Sequence, residues 1–183
     1  MKTLHLIRHG ETIWHDENRY AGHTDVSLTK RGLEQATHLS SWALAADLDA
    51  VLSSDLSRAV MTAEPVCRAT GLELIADSGL REVNFGRGEG LTTSEMRELF
   101  PAERASFEKT PASSPLPGGE SGIKAVERSL PIIHQLISEE KVNTLLFVTH
   151  STLARLLLCE FLGIALDRYR TVFPRLLNGA VTS

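Results

Sequence analysis

Three clusters of polar, reactive side chains each follow a short apolar run that is typical of a β-strand. Arg8 and His9 belong to the first cluster, Arg58 to the second and His150 to the third. Ligands of open α/β sheets bind beyond the carboxyl ends of the strands, so we expect the three clusters to meet at one edge of a sheet. Arginine binds tetrahedral oxyanions bidentately, and a neutral imidazole can attack phosphorus. These residue types therefore predict a phosphate pocket with His9 as the candidate nucleophile.

Helices that begin near Leu56 and Ser151 are expected to direct backbone N–H donors at the same anion. Phosphoryl transfer requires in-line positioning and neutralisation of the phosphoryl oxygens, which arginines and a second imidazole can supply in place of a metal ion. The sequence contains seven histidines but no His-Glu-x-x-His pattern. We therefore expect neither a metal nor an organic cofactor.

A leaving alkoxide needs a proton, so a carboxylic acid is expected close to the pocket. Glu82 is the candidate, because the apolar residues of the segment from Leu80 to Gly86 suggest partial burial. From the residues alone, an ion pair between Glu82 and Arg81 on a surface turn is an equally good interpretation.

Strand-like and helix-like segments alternate along the chain. Thr3–Ile7 precedes a helical pattern at Thr29–Leu48, Ala50–Leu52 precedes one at Leu56–Thr70, and Thr144–Thr149 precedes one at Ser151–Leu162. This alternation predicts a three-layer α/β/α sandwich with a mostly parallel central sheet. In the first helix, Thr29 is the expected N-cap, and the expected apolar face consists of Leu33, Ala36, Leu39, Ala43 and Leu44.

Two other segments have distinct compositions. Pro101–Gly122 is rich in Pro, Ser and Gly, which predicts a surface loop that arches over one edge of the domain. Leu177–Ser183 indicates a turn followed by the beginning of a last strand. With 183 residues and no repeat, residues 1–183 are expected to form a single domain.

Composition limits the functional classes. The formal net charge is −4 and 42% of the residues are hydrophobic, which is typical of a soluble globular protein and does not favour binding to nucleic acid or anionic lipid. No apolar stretch approaches the length of a membrane span. Cys67 and Cys159 lie far apart and are expected to be free thiols, so a reducing cytoplasm fits best. The sequence leaves open whether the protein is a monomer or a homodimer.

Leu6–Thr12 resembles the signature of the histidine phosphatase superfamily, in its phosphoglycerate-mutase-like branch. The resemblance covers nearly the whole chain, because further similar blocks follow in the same order at Asn18–Ala36, Ser53–Glu64, Leu80–Gly86 and Val148–His150. It implies a mostly parallel sheet flanked by helices, as the alternation of elements does.

The resemblance also implies roles for individual residues. His9 is implied to be the phosphorylated nucleophile and Glu82 the proton donor, and Arg8, Arg58 and His150 are implied to form the phosphate pocket. These roles coincide with those inferred from the residues, and they favour the functional interpretation of Glu82.

This sequence departs from the family pattern at four positions. His15 stands where the family usually has an asparagine that binds phosphate, and Ala21, Ser27 and Ser151 also differ from the usual residues. We expect the substrate to be bound by Arg8, Arg58, His15, Gly22, His150 and Ser151. If His15 donates a hydrogen bond to phosphate, most strongly when protonated, phosphate affinity should weaken as the pH rises through its titration.

Three functions are compatible with these residues. The first is hydrolysis of a small phosphorylated metabolite, and the second is a mutase that rephosphorylates its own product. Pro117–Ser121 and Phe85–Gly90 resemble the shorter phosphatases, which favours hydrolysis. The third function, a non-catalytic binding module, would be supported by loss of His9, Glu82 or His150, and all three are present. The substrate itself is expected to be read by loops at Arg19–Asp25 and Arg87–Gly119, which leave its identity open.

Overall fold

A five-stranded sheet forms the centre of the protein in a computed structural model that describes residues 2–183. The strand order is β3-β2-β4-β1-β5, and every pairing is parallel except that of β5 with β1. The strands are β1 Thr3–Arg8, β2 Ala50–Ser54, β3 Leu74–Asp77, β4 Thr144–Thr149 and β5 Val181–Thr182. The structure thus confirms the predicted mostly parallel sheet.

Helices cover both faces of the sheet. Successive strand residues point to opposite sides, and in the central strands the residues of both sides are buried. In β4, Leu146 and Val148 pack with α1 and α2, whereas Leu145 and Phe147 belong to the core formed with α5 and α6. The helices are α1 Lys30–Ala43, α2 Ser57–Thr70, α3 Thr93–Leu99, α4 Pro101–Lys109, α5 Gly122–Ser138, α6 Ser151–Phe161 and α7 Tyr169–Val172. The result is the predicted three-layer α/β/α sandwich.

The first helix begins as predicted but buries a different stripe. The Thr29 hydroxyl accepts a hydrogen bond from the Gly32 amide, which confirms the N-cap. The predicted burial of Leu33 and Leu44 is wrong, since these side chains are 44% and 67% exposed. At 3.6 residues per turn the buried stripe runs through Gly32 rather than Leu33, and Leu44 lies beyond the last helical residue.

The prediction of a surface loop over Pro101–Gly122 is also wrong in part. Residues 101–109 form α4, which begins with Pro101 at a position where proline's missing N–H costs nothing. Beyond the helix the chain is irregular, but Ala112 and Leu116 are buried in the main core. The carboxylate of Asp167 accepts hydrogen bonds from the Ala112 and Ser113 amides and so fixes the backbone there. Buried backbone can be irregular when its polar groups find such partners.

The final strand closes the sheet beside the first cluster. Val181 and Thr182 pair with Ile7 and Leu6, which confirms the predicted turn and strand. Just before β5, the Gly179 amide donates to the Arg8 carbonyl at 2.8 Å. Within residues 2–183, no helix has both the length and the apolar character that a membrane span needs. Both cysteines are free thiols, as predicted.

The segment after β1 is held against α1 by two glycines in close contact. A Cβ on Gly32 would collide with the carbonyl oxygen of Glu11, and a Cβ on Gly10 would collide with the carbonyl of Gly32. This contact leaves no room for a side chain and fixes the backbone immediately after His9.

We predict that Gly32→Ala destabilises the protein by about 1–3 kcal/mol through this overpacking. Helix propensity alone predicts the opposite sign, a gain of about 1 kcal/mol for replacing glycine within a helix. Urea unfolding measures the free energy, and Leu33→Ala, at the exposed neighbouring position, is the control expected to change it by less than about 1 kcal/mol. A more stable Gly32→Ala variant would contradict the assigned contact.

Candidate active site

A cavity of about 470 Å³ opens at the carboxyl ends of β1 and β4. Five of the predicted site residues line it, namely Arg8, His9, His15, Glu82 and Ser151. The remaining three, Arg58, Gly22 and His150, are buried and do not line the cavity wall. Residues of the predicted clusters thus lie in the wall of this cavity, whereas three of the predicted site residues are buried and do not reach the wall.

His9 is buried with its ring fixed in one orientation. Its Nδ1 lies 2.7 Å from the Gly10 carbonyl oxygen, a partner that can only accept. The proton therefore belongs on Nδ1, which leaves the lone pair on Nε2. Burial, followed by the charges of Arg58 and Arg8, holds the pKa of His9 well below its usual range. His9 is accordingly a neutral imidazole at neutral pH, the form that acts as a nucleophile.

His150 packs against His9, with ring centroids 5.1 Å apart and the planes inclined at 62°. Its ring is fully buried, and neither nitrogen has a hydrogen-bond partner among residues 2–183. Burial, followed by the charge of Arg58, also lowers the pKa of His150 well below the usual value. Unpartnered buried nitrogens are costly, so their presence here indicates a position made to bind a polar ligand.

The two arginines are held by backbone carbonyls rather than by carboxylates. Arg58 donates to the carbonyls of Thr24 at 2.9 Å and Gly22 at 2.7 Å, and it is fully buried. Arg8 donates to the Leu176 carbonyl at 2.8 Å, and burial lowers its pKa to about 10. Nε of each arginine is buried without a partner within residues 2–183. Both guanidinium groups therefore keep their positive charge and a free donor.

Glu82 lies in the cavity wall, 4% exposed, and it is not paired with Arg81. Arg81 instead contacts Asp55 at 2.6 Å. The Glu82 carboxylate accepts hydrogen bonds from the Thr152 amide at 2.8 Å and the Leu153 amide at 2.9 Å, at the N-terminus of α6. The alternative of a surface ion pair is therefore excluded, and the carboxylate is fixed beside the cavity.

The helix N-termini that were predicted to donate to the anion already donate in part to carboxylates of the protein. At α6 the donors are taken by Glu82, and at α2 the Ser57 amide donates to the carboxylate of Asp25 at 3.1 Å. Free N–H groups and the helix dipole attract the nearest negative charge, and here that charge comes from the chain itself.

His15 accepts a hydrogen bond from Arg8, whose Nη2 lies 2.7 Å from His15 Nε2. The neighbouring Nδ1 lies 2.9 Å from the Thr12 hydroxyl, which can accept its proton, and also 2.9 Å from the Thr12 amide, which can only donate. Burial, followed by the charge of Arg8, lowers the pKa of His15. A neutral His15 thus orients Arg8 through Nε2, which accepts in this arrangement. Donation from protonated His15 to phosphate stays a prediction.

Sequence reasoning missed two arginines that line the cavity, Arg155 in α6 and Arg170 in α7. One signal was available, since Arg155 is the only charged residue between Leu153 and Leu158 and stands one helical turn after Ser151. Aromatic side chains of Trp14, Tyr20 and Phe85 form other parts of the wall. Within residues 2–183 there is no group of three or more His, Cys, Asp or Glu side chains arranged to hold a metal ion.

Histidines and arginines gathered at the carboxyl edge of an α/β sheet suit phosphoryl transfer. The sequence profile of the histidine phosphatase superfamily (branch 1) matches residues 4–183, and the chain belongs to this family. It is an enzyme of the phosphatase class, as its relatives indicate.

Named relatives cover most of this chain. Phosphoserine phosphatase 1 of Hydrogenobacter thermophilus is 29% identical over 92% of this chain and 80% of its own length. A protein of Escherichia fergusonii named "Probable phosphoglycerate mutase" is 30% identical over 90% of this chain and 76% of its own. The crystal structure of the α-ribazole phosphatase of Shigella flexneri superimposes with a TM-score of 0.87 at 28% identity, over 97% of this chain and 87% of that one.

We predict that the protein loses stability as the pH falls from 7.5 to 5.5. The folded-state pKa values of His9 and His150 lie below the usual 6.5, so the unfolded chain binds more protons. Their contribution is complete above pH 6.5 and is lost below it, by about 2–3 kcal/mol in total at pH 5.5. Urea unfolding at both pH values measures this loss. His150→Gln should reduce it by about 1 kcal/mol, whereas the exposed control His134→Gln should not change it.

We also predict that inhibition by inorganic phosphate has the same pH dependence in the wild type and His15→Asn between pH 6.5 and 8. The asparagine carbonyl can accept from Arg8 as neutral His15 does. Inhibition constants measured across this range test whether His15 only orients Arg8. If phosphate affinity falls with rising pH in the wild type but not in His15→Asn, His15 donates to phosphate instead.

Proposed function

We propose that the protein is a metal-independent phosphomonoesterase that acts through a phosphohistidine at His9. One observation carries this proposal. The lone pair of a neutral, fixed imidazole lies among buried guanidinium and imidazole nitrogens that have no partner within residues 2–183. This arrangement suits a nucleophile beside a tetrahedral oxyanion.

In the first step, Nε2 of His9 attacks phosphorus in line with the ester bond. The N–P bond forms as the P–O bond breaks, and Glu82 gives a proton to the leaving oxygen. The Gly10 carbonyl, which accepts from Nδ1, stabilises the positive charge that develops on the ring. Arg8, Arg58 and His150 donate to the phosphoryl oxygens.

In the second step, the Glu82 carboxylate takes a proton from water, which attacks the phosphoryl group. The N–P bond breaks, inorganic phosphate leaves, and His9 returns to its neutral form with the lone pair on Nε2. His15 acts in both steps as a positioning residue, because its Nε2 holds the Arg8 guanidinium. Gly22 likewise holds Arg58 through its carbonyl, and Ser151 lines the cavity.

The substrate is proposed to be a small phosphorylated metabolite rather than nucleic acid or lipid. A cavity of about 470 Å³ accommodates a compact ester, and the relatives named above include phosphatases of small molecules. Residues 1–183 are proposed to act as one catalytic domain, as a monomer or homodimer. The free thiols Cys67 and Cys159 support a reducing, cytoplasmic location.

A mutase is the second candidate, because the relative from Escherichia fergusonii bears that name. Such an enzyme would pass the phosphoryl group from His9 back to a hydroxyl of the product. The two functions share the first step and differ only in whether water or the product accepts the group in the second.

We predict that Glu82→Gln separates the two steps. With 4-nitrophenyl phosphate, a good leaving group needs little protonation, so a stopped-flow burst of nitrophenolate should precede slow turnover. Turnover of glycerol 3-phosphate, whose alkoxide needs the acid, should fall by about 10²–10⁴-fold. Acid-labile, alkali-stable label from ³²P should accumulate on the variant in the burst. Glu160→Gln, which alters an exposed carboxylate near the C-terminal end of α6, is the matched control and should show no burst.

His9→Ala should abolish both phosphate release and labelling, in buffer that contains a chelator. Phosphate release that survives this substitution, or that requires an added metal, would overturn the proposed mechanism. Phosphorus NMR of 3-phosphoglycerate distinguishes the candidates, since a phosphatase releases inorganic phosphate and a mutase produces 2-phosphoglycerate.

A further inference from the structure

The cavity contains more positive charge than one phosphate group requires. Arg155 and Arg170 line the same wall as His9 and Arg8, and neither lies within 4.0 Å of a carboxylate in the part of the chain from 2 to 183. Arg19, also in the wall, differs from them because it is paired with Glu17 and Glu95. The unpaired arginines are therefore a distinct feature of the cavity.

Aromatic rings and hydrogen bonds hold the two guanidinium groups in place, and for Arg170 these include a bond from Nη2 to the Tyr20 hydroxyl at 3.4 Å. Arg155 lies over the Tyr169 ring at 4.9 Å and donates through Nε to the Ser151 carbonyl at 2.9 Å. Arg170 lies over the Phe107 ring at 4.7 Å and donates through Nε to the Tyr169 hydroxyl at 2.9 Å. Nη1 and Nη2 of Arg155, and Nη1 of Arg170, have no hydrogen-bond partner among residues 2–183. Their terminal donors are thus oriented in advance and free to bind a ligand.

These charges repel one another in the absence of an anion. Burial is the main cause of the lowered pKa values of Arg8 and Arg155. Glu82 raises both values, and the next arginine along the wall, Arg155 and Arg170 respectively, lowers them. The phenol groups of Tyr169 and Tyr20 raise the pKa of Arg170 against the effect of burial. Glu82 is the one acidic side chain of the wall, and backbone amides already occupy both of its oxygens. A single phosphate bound near His9 would leave the charges of Arg155 and Arg170 uncompensated.

We propose that Arg155 and Arg170 bind a second anionic group of the substrate, a carboxylate or a second phosphoryl group, while the scissile phosphate lies against His9. This inference rests on the proposed phosphatase function and narrows its substrates to phosphomonoesters with two separated negative centres. Arg155 and Arg170 are specificity-determining residues that act through binding rather than through the chemical step.

Two matched pairs of esters test the inference. 3-Phosphoglycerate and glycerol 3-phosphate differ by a carboxylate, and fructose 1,6-bisphosphate and fructose 6-phosphate differ by a phosphoryl group. In the wild type, kcat/KM should favour the doubly anionic member of at least one pair by about 10- to 100-fold, as expected for a charge-assisted hydrogen bond. Arg155→Met and Arg170→Met should each reduce that ratio severalfold or more. Arg168→Met, at an exposed position beside α7, is the control and should retain it.

The outcomes separate this inference from the function on which it rests. Phosphate release with ratios near one for both pairs, or ratios that the two substitutions leave unchanged, would overturn the second anion site alone. Absence of His9-dependent release from all four esters would overturn the phosphatase function. In that case titration calorimetry of the same four compounds still tests the second anion site. Tighter binding of the doubly anionic member of a pair, lost in Arg155→Met, would support the site. Equal binding of the two members would refute it.

Discussion

Burial of a guanidinium group without loss of its charge is the constraint on which this site depends. A carboxylate partner would satisfy the donors of Arg58 but would also cancel the field that a phosphate needs, whereas backbone carbonyls satisfy donors and leave the charge in place. The chain therefore wraps the loop containing Gly22 and Thr24 around Arg58. Glu89 holds that loop in turn by accepting from the His23 and Thr24 amides. The shape of this loop, more than any single contact, therefore preserves the positive charge of Arg58.

Carboxylates are used elsewhere, at the N-termini of α2 and α6. Asp25 occupies the start of α2 and Glu82 the start of α6. Each contact joins a loop to a helix that packs on the sheet, so the acid is positioned by a rigid element instead of by its own flexible loop. The helix dipoles thus contribute to placing Glu82, the proposed proton donor.

Much of this arrangement could be predicted from the sequence. Arg8, His9 and His150 follow apolar runs with strand periodicity, and topology alone brings such strand ends together. Distances and partners could not be predicted. The sequence does not show that Arg58 donates to the carbonyls of Gly22 and Thr24 or that His15 contacts Arg8. Composition was misleading at Leu116, because a Pro- and Gly-rich segment can enter the core when its amides find a partner such as Asp167.

The contact between Asn178 and His9 has a consequence for the order in which the protein becomes active. The Asn178 side-chain amide donates to the His9 carbonyl at 2.9 Å, and the neighbouring Leu176 carbonyl accepts from Arg8. Residues from both ends of the described sequence therefore make these contacts, so a nascent chain forms them only after residue 178 has left the ribosome. Proteolytic removal of this segment would take away both contacts without altering any residue that is proposed to contact the phosphoryl group.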